Sequence, residues 1–244
     1  MINQEKTTIM TKKEQFYLNN FGEEWFNLLK DFLLSKDMDA IAYTLKLQRE
    51  KSDVIPSVES GLIFKVFKDL QPKDIKVIIL GQDPYPQEDI YDGYAFSNSN
   101  SLDISPSLRN IIKEINSNYP DNFNLDRMDW SYLVKQGLFP INTALSIRQG
   151  IPESHLSLWK LFSRYWINQL ATNYKNIVWL LWGTKAHNYE YLLDDKHQKV
   201  IKTSHPSPLG ALKVGTNFSA FIGSECFIET NEFLNAINKT QINW

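Results

Sequence analysis

Apolar residues recur three and four positions apart in several stretches of the chain, and shorter stretches between them are almost continuously apolar. The first pattern predicts helices with one buried face. The helices predicted in this way are Phe21–Leu34, Asp39–Gln48, Leu62–Leu70, Leu158–Leu170, Thr184–Leu193 and Cys226–Ile237. A further helix begins at Ser105–Pro106, because serine caps helix N-termini and proline fits the first turn.

Four short segments predict strands, and the β-branched run of Lys76–Leu80, which ends at Gly81, is typical of a buried strand. The four segments span Lys76–Leu80, Gly137–Asn142, Ile177–Trp182 and Lys199–Thr203. Strands that alternate with helices predict an α/β fold, here a single domain with a central, mostly parallel four-stranded sheet flanked by helices. Residues 1–13 show no apolar periodicity and are expected to be a flexible tail, so we assign the domain to residues 14–244.

Polar segments of unusual composition follow the predicted strands. They are Gly81–Pro86, Asn142–Arg148 and Ser204–Leu209, and the remaining strand ends at Gly183–Thr184. In an open α/β sheet, ligands bind beyond the carboxyl ends of the strands. These segments are therefore expected to meet at one functional edge of the sheet.

Charge and composition narrow the classes of function. The 244-residue chain has 26 Lys and Arg against 28 Asp and Glu, a net charge of −2, so a nucleic-acid partner would have to bind a local basic patch. The single cysteine excludes an intrachain disulfide and a cysteine-based zinc cluster, and it fits a reducing compartment. No apolar run is long enough for a bilayer span or a signal peptide. We therefore expect a protein of the cytoplasm, or of the nucleus, that is not secreted and has no membrane partner.

Asp83 and His205 are the candidate catalytic residues. Asp83 follows a predicted strand in a loop that Pro84 and Pro86 stiffen, which suits a carboxylate that orients water or stabilises positive charge. An ordinary turn in which Asp83 bonds its own backbone gives the same pattern. His205 lies at a strand end beside Pro206 and could act as an acid, a base or a hydrogen-bond donor.

Three further residues have two interpretations each. Asn142 could read the donor and acceptor edge of a base, or it could be a buried amide satisfied by the protein itself. Phe96 could stack on a base or pack in the core. Leu209 could be an exposed apolar tip of the kind that wedges into DNA, or it could fold back into the core. The residues alone leave these alternatives open.

These segments, taken in order, resemble the family-1 uracil-DNA glycosylases from about Trp25 to Trp244. Gly81–Pro86 is similar to the family's water-activating loop, and Gly93–Ser97 follows at the family's distance. The other matches are Ser105–Ser107 with the end of the proline-rich loop, Asn142 with the end of the uracil-reading strand, Trp182–Thr184 with the Gly-Ser loop, Ser204–Leu209 with the leucine loop and Gln241–Trp244 with the chain-end motif. Each motif is weak by itself, whereas their common order and spacing make the resemblance specific.

The resemblance implies a monofunctional hydrolase that flips uracil out of DNA, cleaves its N-glycosidic bond and leaves an abasic site, with neither a metal nor a cofactor. It implies that Asp83 positions water and stabilises the sugar cation, and that His205 donates a hydrogen bond to uracil O2. The implied substrate-binding residues are Gln82, Tyr85, Phe96 and Asn142, and the implied DNA-binding residues are Pro106, Ser107, Thr184, Ser207, Leu209 and Lys213. The implied partners are uracil-containing DNA, single- or double-stranded, and a proteinaceous inhibitor, with the protein itself a monomer.

The resemblance also implies how the base is selected. Phe96 would stack on the flipped base, and Asn142 would pair with uracil N3–H and O4, which discriminates against cytosine. Tyr85 would occupy the space of a C5 methyl group and so exclude thymine. Leu209 would enter the vacated stack. The side chains implied to hold phosphates through hydroxyl groups are Ser107, Thr184 and Ser207.

The chain departs from the family pattern at three places. Pro86 replaces a histidine, Gly210 replaces a serine, and the segment 210–220 is longer than usual by several residues. These departures concern the grip on DNA, so we expect weak, salt-sensitive affinity. They leave open a catalytically weak DNA-binding accessory or scaffold module on the same fold. A glycosylase for another modified base is a third alternative, which Tyr85 and Asn142 disfavour.

Overall fold

The computed structural model describes residues 10–50, 54–87, 90–98, 103–120, 129–194 and 196–244. Its strands are β1 (Val54–Ile55), β2 (Val77–Gly81), β3 (Leu138–Asn142), β4 (Ile147–Arg148), β5 (Val178–Trp182) and β6 (Lys199–Thr203). Four of them form one sheet in the order β3-β2-β5-β6, and every pairing in it is parallel. A separate antiparallel ribbon joins β1 to β4. The predicted four-stranded parallel sheet is thereby confirmed.

Helices cover both faces of this sheet. They are α1 (Lys12–Leu33), α2 (Lys36–Arg49), α3 (Lys65–Asp69), α4 (Pro106–Asn118), α5 (Ser131–Val134), α6 (Leu156–Asn173), α7 (Thr184–His187) and α8 (Cys226–Ala236). Short 3-10 turns occur at Val58–Ser60, Pro72–Asp74 and Glu190–Leu192. Among the described residues, none of the helices is both long and apolar enough to cross a membrane.

Two of the predicted helix boundaries differ from the structure by more than three residues. The single helix predicted over Thr184–Leu193 is wrong, because α7 ends at His187 and a separate 3-10 turn follows. The His187 ring nitrogen Nε2 hydrogen-bonds with the carbonyl oxygens of Leu181 and Thr203. These bonds hold the last residue of α7 against β5 and β6. At the other end, α1 begins at Lys12 behind the cap residue Thr11. Residues 1–9 of the predicted tail lie outside the described residues.

The sheet separates two apolar clusters. On one face α1, α3 and α6 bury a group of aromatic rings that includes Trp25, Phe67 and Trp166, with centroids 5.0 to 6.4 Å apart. On the other face α4, α5 and α8 cover residues such as Trp182 and Phe227. Every residue of β2, β3 and β5 is buried, as the continuous apolar runs predict for strands covered on both sides.

Strand register fixes where the functional loops open. Gly81 pairs with Asn142 at the ends of β2 and β3, and Trp182 pairs with Thr203 at the ends of β5 and β6. Because all four strands are parallel, these residues share the carboxyl edge of the sheet. The loops that carry Asp83, Asn142, Thr184 and His205 therefore start side by side.

Candidate active site

The loops at the carboxyl edge enclose a cavity of about 230 Å³, which we call the central cavity. Its lining contains Gln82, Asp83, Tyr85, Phe96, Asn142 and His205, together with Pro84, Pro86, Tyr91, Ser107 and Pro152. The two predicted catalytic residues and all four predicted substrate-binding residues thus border one space. They come from four separate segments of the chain, and the parallel sheet brings them together.

Asp83 is held by hydrogen bonds to both of its carboxylate oxygens. The Gln82 side-chain amide donates to Oδ1 over 3.0 Å, and the backbone N–H of Glu153 donates to Oδ2 over 2.6 Å. Neither donor is the backbone that follows Asp83, so these are not the bonds of a self-bonded turn. Burial raises the pKa of the Asp83 carboxyl above its ordinary value, although both hydrogen bonds oppose the shift. The result is a fixed carboxylate that is more basic than an exposed one.

His205 has a defined tautomer. The backbone N–H of Ser207 donates to its Nδ1 over 3.0 Å, so the proton of the neutral ring resides on Nε2. Burial lowers the pKa of the ring, and the cation of Lys185 lowers it further. Gly183 leaves room for this histidine, because a Cβ at that position would lie 2.9 Å from the His205 Cβ. The imidazole is therefore a neutral donor at the wall of the central cavity.

Tyr85 and Phe96 belong to two loops that are tied together. The Tyr85 hydroxyl donates to the Phe96 carbonyl oxygen over 3.1 Å and forms a second hydrogen bond with Ser105 Oγ at 2.7 Å. Phe96 has φ +67°, in the left-handed region, and its ring centroid lies 5.3 Å from that of Trp182 and 5.8 Å from that of His205. Phe96 thus packs against the core and also lines the cavity, which unites the two interpretations of this residue.

Asn142 lies between a glycine and a tyrosine. A Cβ on Gly81, its partner in the β2–β3 register, would come within 2.1 Å of Asn142 Oδ1, so only glycine fits there. On the other side is the buried hydroxyl of Tyr91, whose pKa is raised by burial and by Asp92, while the Asn142 amide opposes the shift. Asn142 is therefore a buried amide that also borders the cavity, and its neighbours restrict its orientation.

A second depression of about 290 Å³ shares His205 with the central cavity, and we call it the side depression. Its lining includes four predicted DNA-binding residues, Thr184, Ser207, Leu209 and Lys213. The other two lie nearby: Ser107 lines the central cavity, and Pro106 is the exposed first residue of α4. Leu209 is 86% exposed, so it is a surface tip and does not fold back into the core.

Two of the departures from the family pattern, Gly210 and the longer segment 210–220, lie beside this depression. A Cβ at Gly210 would lie 2.6 Å from the His205 carbonyl oxygen, which accounts for glycine at that position in this chain. The longer segment folds back on itself through a bridge between Gly215 and Phe218, and the Phe218 ring lies 5.0 Å from that of His187. The extra length is therefore packed against α7 rather than across the cavity.

Three residues of this region escaped the sequence analysis. Tyr91 lies in a polar loop with no periodicity, and the interaction of its hydroxyl with Asn142 has no local signal. Glu153 holds Asp83 through its backbone N–H and forms an ion pair with Lys185 through its carboxylate. These contacts join positions far apart in sequence, so only the fold reveals them. Within the described residues, no group of three His, Cys, Asp or Glu side chains could hold a metal ion.

A parallel sheet with candidate catalytic residues around one cavity at its carboxyl edge is the architecture of an α/β enzyme. The family model described as the uracil DNA glycosylase superfamily matches residues 67–234, and this chain belongs to that superfamily.

Known proteins of the same kind match nearly the whole chain. The uracil-DNA glycosylase of Clostridium perfringens is 36% identical over 229 residues, which cover 92% of this chain and 96% of the relative. The crystal structure of mimivirus uracil-DNA glycosylase matches with a TM-score of 0.84 at 28% identity, over 92% of this chain and 87% of that one. A mimivirus UNG variant in complex with UGI matches with a TM-score of 0.84 at 27% identity, over 92% and 88% of the two chains.

Proposed function

We propose that this protein removes uracil from DNA by flipping the nucleotide out of the strand and hydrolysing its N-glycosidic bond, leaving an abasic site. The observation that carries the proposal is the shared central cavity, in which Asp83 and His205 border the same space as Tyr85, Phe96 and Asn142. A base inside a duplex cannot reach such a cavity, so the nucleotide must leave the stack at a cost of a few kcal/mol, roughly.

His205 stabilises the leaving group. As the bond between C1′ and N1 breaks, N1 takes the electron pair and negative charge spreads to O2 of the uracil. The Nε2–H of His205 donates to that oxygen, and its neutral form is maintained by burial and by the Ser207 N–H on Nδ1. A donor positioned in advance for developing charge contributes about 3–4 kcal/mol to transition-state stabilisation.

Asp83 acts on the sugar side. The transition state resembles an oxocarbenium ion, as in other glycoside hydrolysis, and a carboxylate near C1′ stabilises it. Asp83 also orients the attacking water, whose oxygen bonds to C1′ while its proton passes to the Asp83 carboxylate, and the uracil anion takes up a proton from solvent after it leaves. Its two hydrogen bonds, from Gln82 and Glu153, fix its position before substrate arrives.

The remaining cavity residues select the base. Phe96 offers a ring for stacking, and the Asn142 amide offers a donor and an acceptor to the O4 and N3–H edge. A cytosine would present an amino group where uracil has O4, leaving buried polar groups unpaired. The ring of Tyr85 stands where a thymine methyl group would enter.

The side depression fits the DNA backbone. Thr184 and Ser207 offer hydroxyl donors to phosphates, and Lys213 adds a positive charge, so the grip does not need a net positive chain. Leu209 is 86% exposed, and we infer that it acts as the wedge that fills the vacated base stack. Because a variant of the mimivirus relative occurs in a complex with UGI, we also infer that an inhibitor protein can bind this chain. A monomeric state and a cytoplasmic or nuclear location stay predictions from the sequence.

The test is excision from a single-stranded oligonucleotide that carries one uracil. Alkali cleaves the strand at an abasic site, so we expect scission for uracil and none for thymine or cytosine. We expect Asp83→Asn and His205→Leu each to lower turnover at least about a hundredfold. His197→Leu is the matched control, since His197 is exposed and bonded to Asp194. An intact oligonucleotide at high protein concentration would favour the accessory or scaffold module.

A further inference from the structure

A wide groove of about 670 Å³ lies next to the central cavity, and we call it the basic groove. It lies between α6, α7 and the loop that precedes α6, and its lining includes Gln82, Glu153, Lys160, Arg164, Lys185 and Tyr191. Gln82 borders both the groove and the central cavity. The groove therefore opens directly beside the proposed catalytic residues.

Positive charge in this groove is not fully compensated. Lys160 and Arg164 lie one helical turn apart on α6, where like charges repel each other. The guanidinium of Arg164 has a neutral partner, since its Nε donates to the Tyr191 hydroxyl over 2.5 Å and its carbon lies 5.4 Å from the Tyr191 ring centroid. Among the described residues, no ion pair within 4.0 Å links Lys160 or Arg164 to a carboxylate. Such a pair favours an anionic ligand.

The third cation of the groove connects it to the catalytic carboxylate. Lys185 pairs with the Glu153 side chain, and the backbone N–H of the same glutamate donates to Asp83. The groove thus lies on the Asp83 side of the central cavity. The side depression, which shares His205, contains the other phosphate-binding candidates. The basic groove and the side depression consequently border the central cavity on two sides. A DNA strand whose flipped nucleotide occupies the cavity needs one such surface before that nucleotide and one after it.

We propose that the basic groove binds the DNA strand that flanks the flipped nucleotide, with Lys160 and Arg164 each neutralising one phosphate. The inference rests on the proposed function, because a strand in the groove continues into the central cavity, where the proposed excision takes place. Tyr191 is 62% exposed and offers a ring on which a flanking base stacks without regard to sequence. A basic groove with an aromatic platform is a common composition for single-strand binding.

The double variant Lys160→Ala/Arg164→Ala tests this proposal. Its kcat and KM are measured at several salt concentrations, on a single strand of about 15 nucleotides with a central uracil and on a trinucleotide with the same centre. Each phosphate contact to a single strand contributes about 0.7 to the slope of log affinity against log salt, so losing two contacts flattens the slope by about 1.4. We expect KM for the long strand to rise about tenfold, with kcat and the trinucleotide kinetics unchanged.

The matched control is Lys135→Ala/Lys175→Ala. These exposed lysines precede β3 and β5, at the opposite edge of the parallel sheet, and the substitution removes the same charge. We expect the control to keep the KM and the salt slope of the unmodified protein. Equal KM and slope in the Lys160/Arg164 variant, or a loss of kcat on the trinucleotide, would overturn the proposal.

A binding measurement separates this proposal from the proposed function. Fluorescence anisotropy with a uracil-free single strand reports the groove without catalysis. Weaker, less salt-sensitive binding by the Lys160/Arg164 variant supports the groove as a DNA site even if no uracil is released. Unchanged binding rejects the groove even if excision is efficient.

Discussion

The backbone N–H of Ser207 donates to Nδ1 of His205 over 3.0 Å, within a loop stiffened by proline on both sides of Ser207. This one hydrogen bond decides which ring nitrogen of His205 carries the proton in the neutral ring, and it leaves that proton on Nε2. Since burial also lowers the pKa of the ring, the group that we propose to face the leaving base is a neutral imidazole rather than an imidazolium. The pH dependence of the enzyme follows from this pairing with Asp83.

We predict that turnover decreases as the pH falls, and that no deprotonation of a histidine decreases it as the pH rises. The active form has Asp83 ionised and His205 neutral. Because the pKa of Asp83 is raised and that of His205 is lowered, both groups become protonated only as the pH falls, and both protonations reduce turnover. A profile of kcat between about pH 4 and 9 should be flat above about pH 6.5, the ordinary pKa of histidine. A decline on crossing that value upward would show that the imidazolium is required.

Removing the Tyr91 hydroxyl should weaken the binding of uracil-containing DNA. In Tyr91→Phe the ring still fills its place, but the Asn142 amide loses a polar neighbour that limits its orientation. We expect a rise in KM for uracil-containing DNA of about fivefold, the loss of one modest hydrogen bond, with a smaller change in kcat. Tyr119→Phe is the control, because that hydroxyl donates to the Phe227 carbonyl away from the cavity. Identical KM values for the Tyr91 variant and the unmodified protein would rule out this role.

Leu209→Ala should separate duplex from single-stranded substrate. The side chain is 86% exposed, so its loss costs the fold little, whereas a wedge compensates for the unstacking of a base in a duplex. We expect activity on double-stranded DNA to fall about tenfold and activity on a single strand to change by less than about twofold. Val58→Ala, at another exposed apolar site, should change neither. Equal losses on both substrates would mean that Leu209 acts in some other way.

His155 should make the fold acid-sensitive. It is 1% exposed, and its Nδ1 lies 2.9 Å from Ser146 Oγ, which also accepts a hydrogen bond from Trp159 Nε1. Burial lowers the pKa of His155 to about 4 in the folded protein, against 6.5 for an ordinary histidine. The unfolded chain therefore binds the proton first as the pH falls, and the stabilisation present above pH 6.5 is lost toward pH 4. The free energy of unfolding should decrease by roughly 3 kcal/mol over this window.

Urea denaturation at several pH values measures this effect. Carboxyl groups titrate in the same window, so the comparison is between the unmodified protein and His155→Phe. The variant lacks the titrating ring, and its unfolding free energy should fall less steeply between about pH 6.5 and 4. Parallel curves would show that His155 is not the group responsible.

The sequence predicts those parts of the site that lie at the ends of predicted strands. Asp83, Asn142 and His205 each lie at or just after such a strand, and a parallel sheet necessarily brings strand ends to one edge. Glu153 and Lys185 have no such marker, because their contacts depend on how the loop before α6 meets α7. The early end of α7 was missed for the same reason, since it depends on His187 reaching carbonyl groups of two strands. The local pattern of apolar residues thus predicts which helices and strands form. Hydrogen bonds between residues distant in sequence decide where those elements end.

The order β3-β2-β5-β6 has a consequence for how the chain becomes active. Tyr85, Phe96 and Asn142 are synthesised well before His205, which follows the edge strand β6. A nascent chain that has completed β5 contains these three residues of the cavity lining. It lacks the imidazole of His205, which we propose donates a hydrogen bond to the leaving base. A chain divided between the 3-10 turn at Glu190–Leu192 and β6 should likewise yield two inactive halves, and recovered excision would report their reassembly.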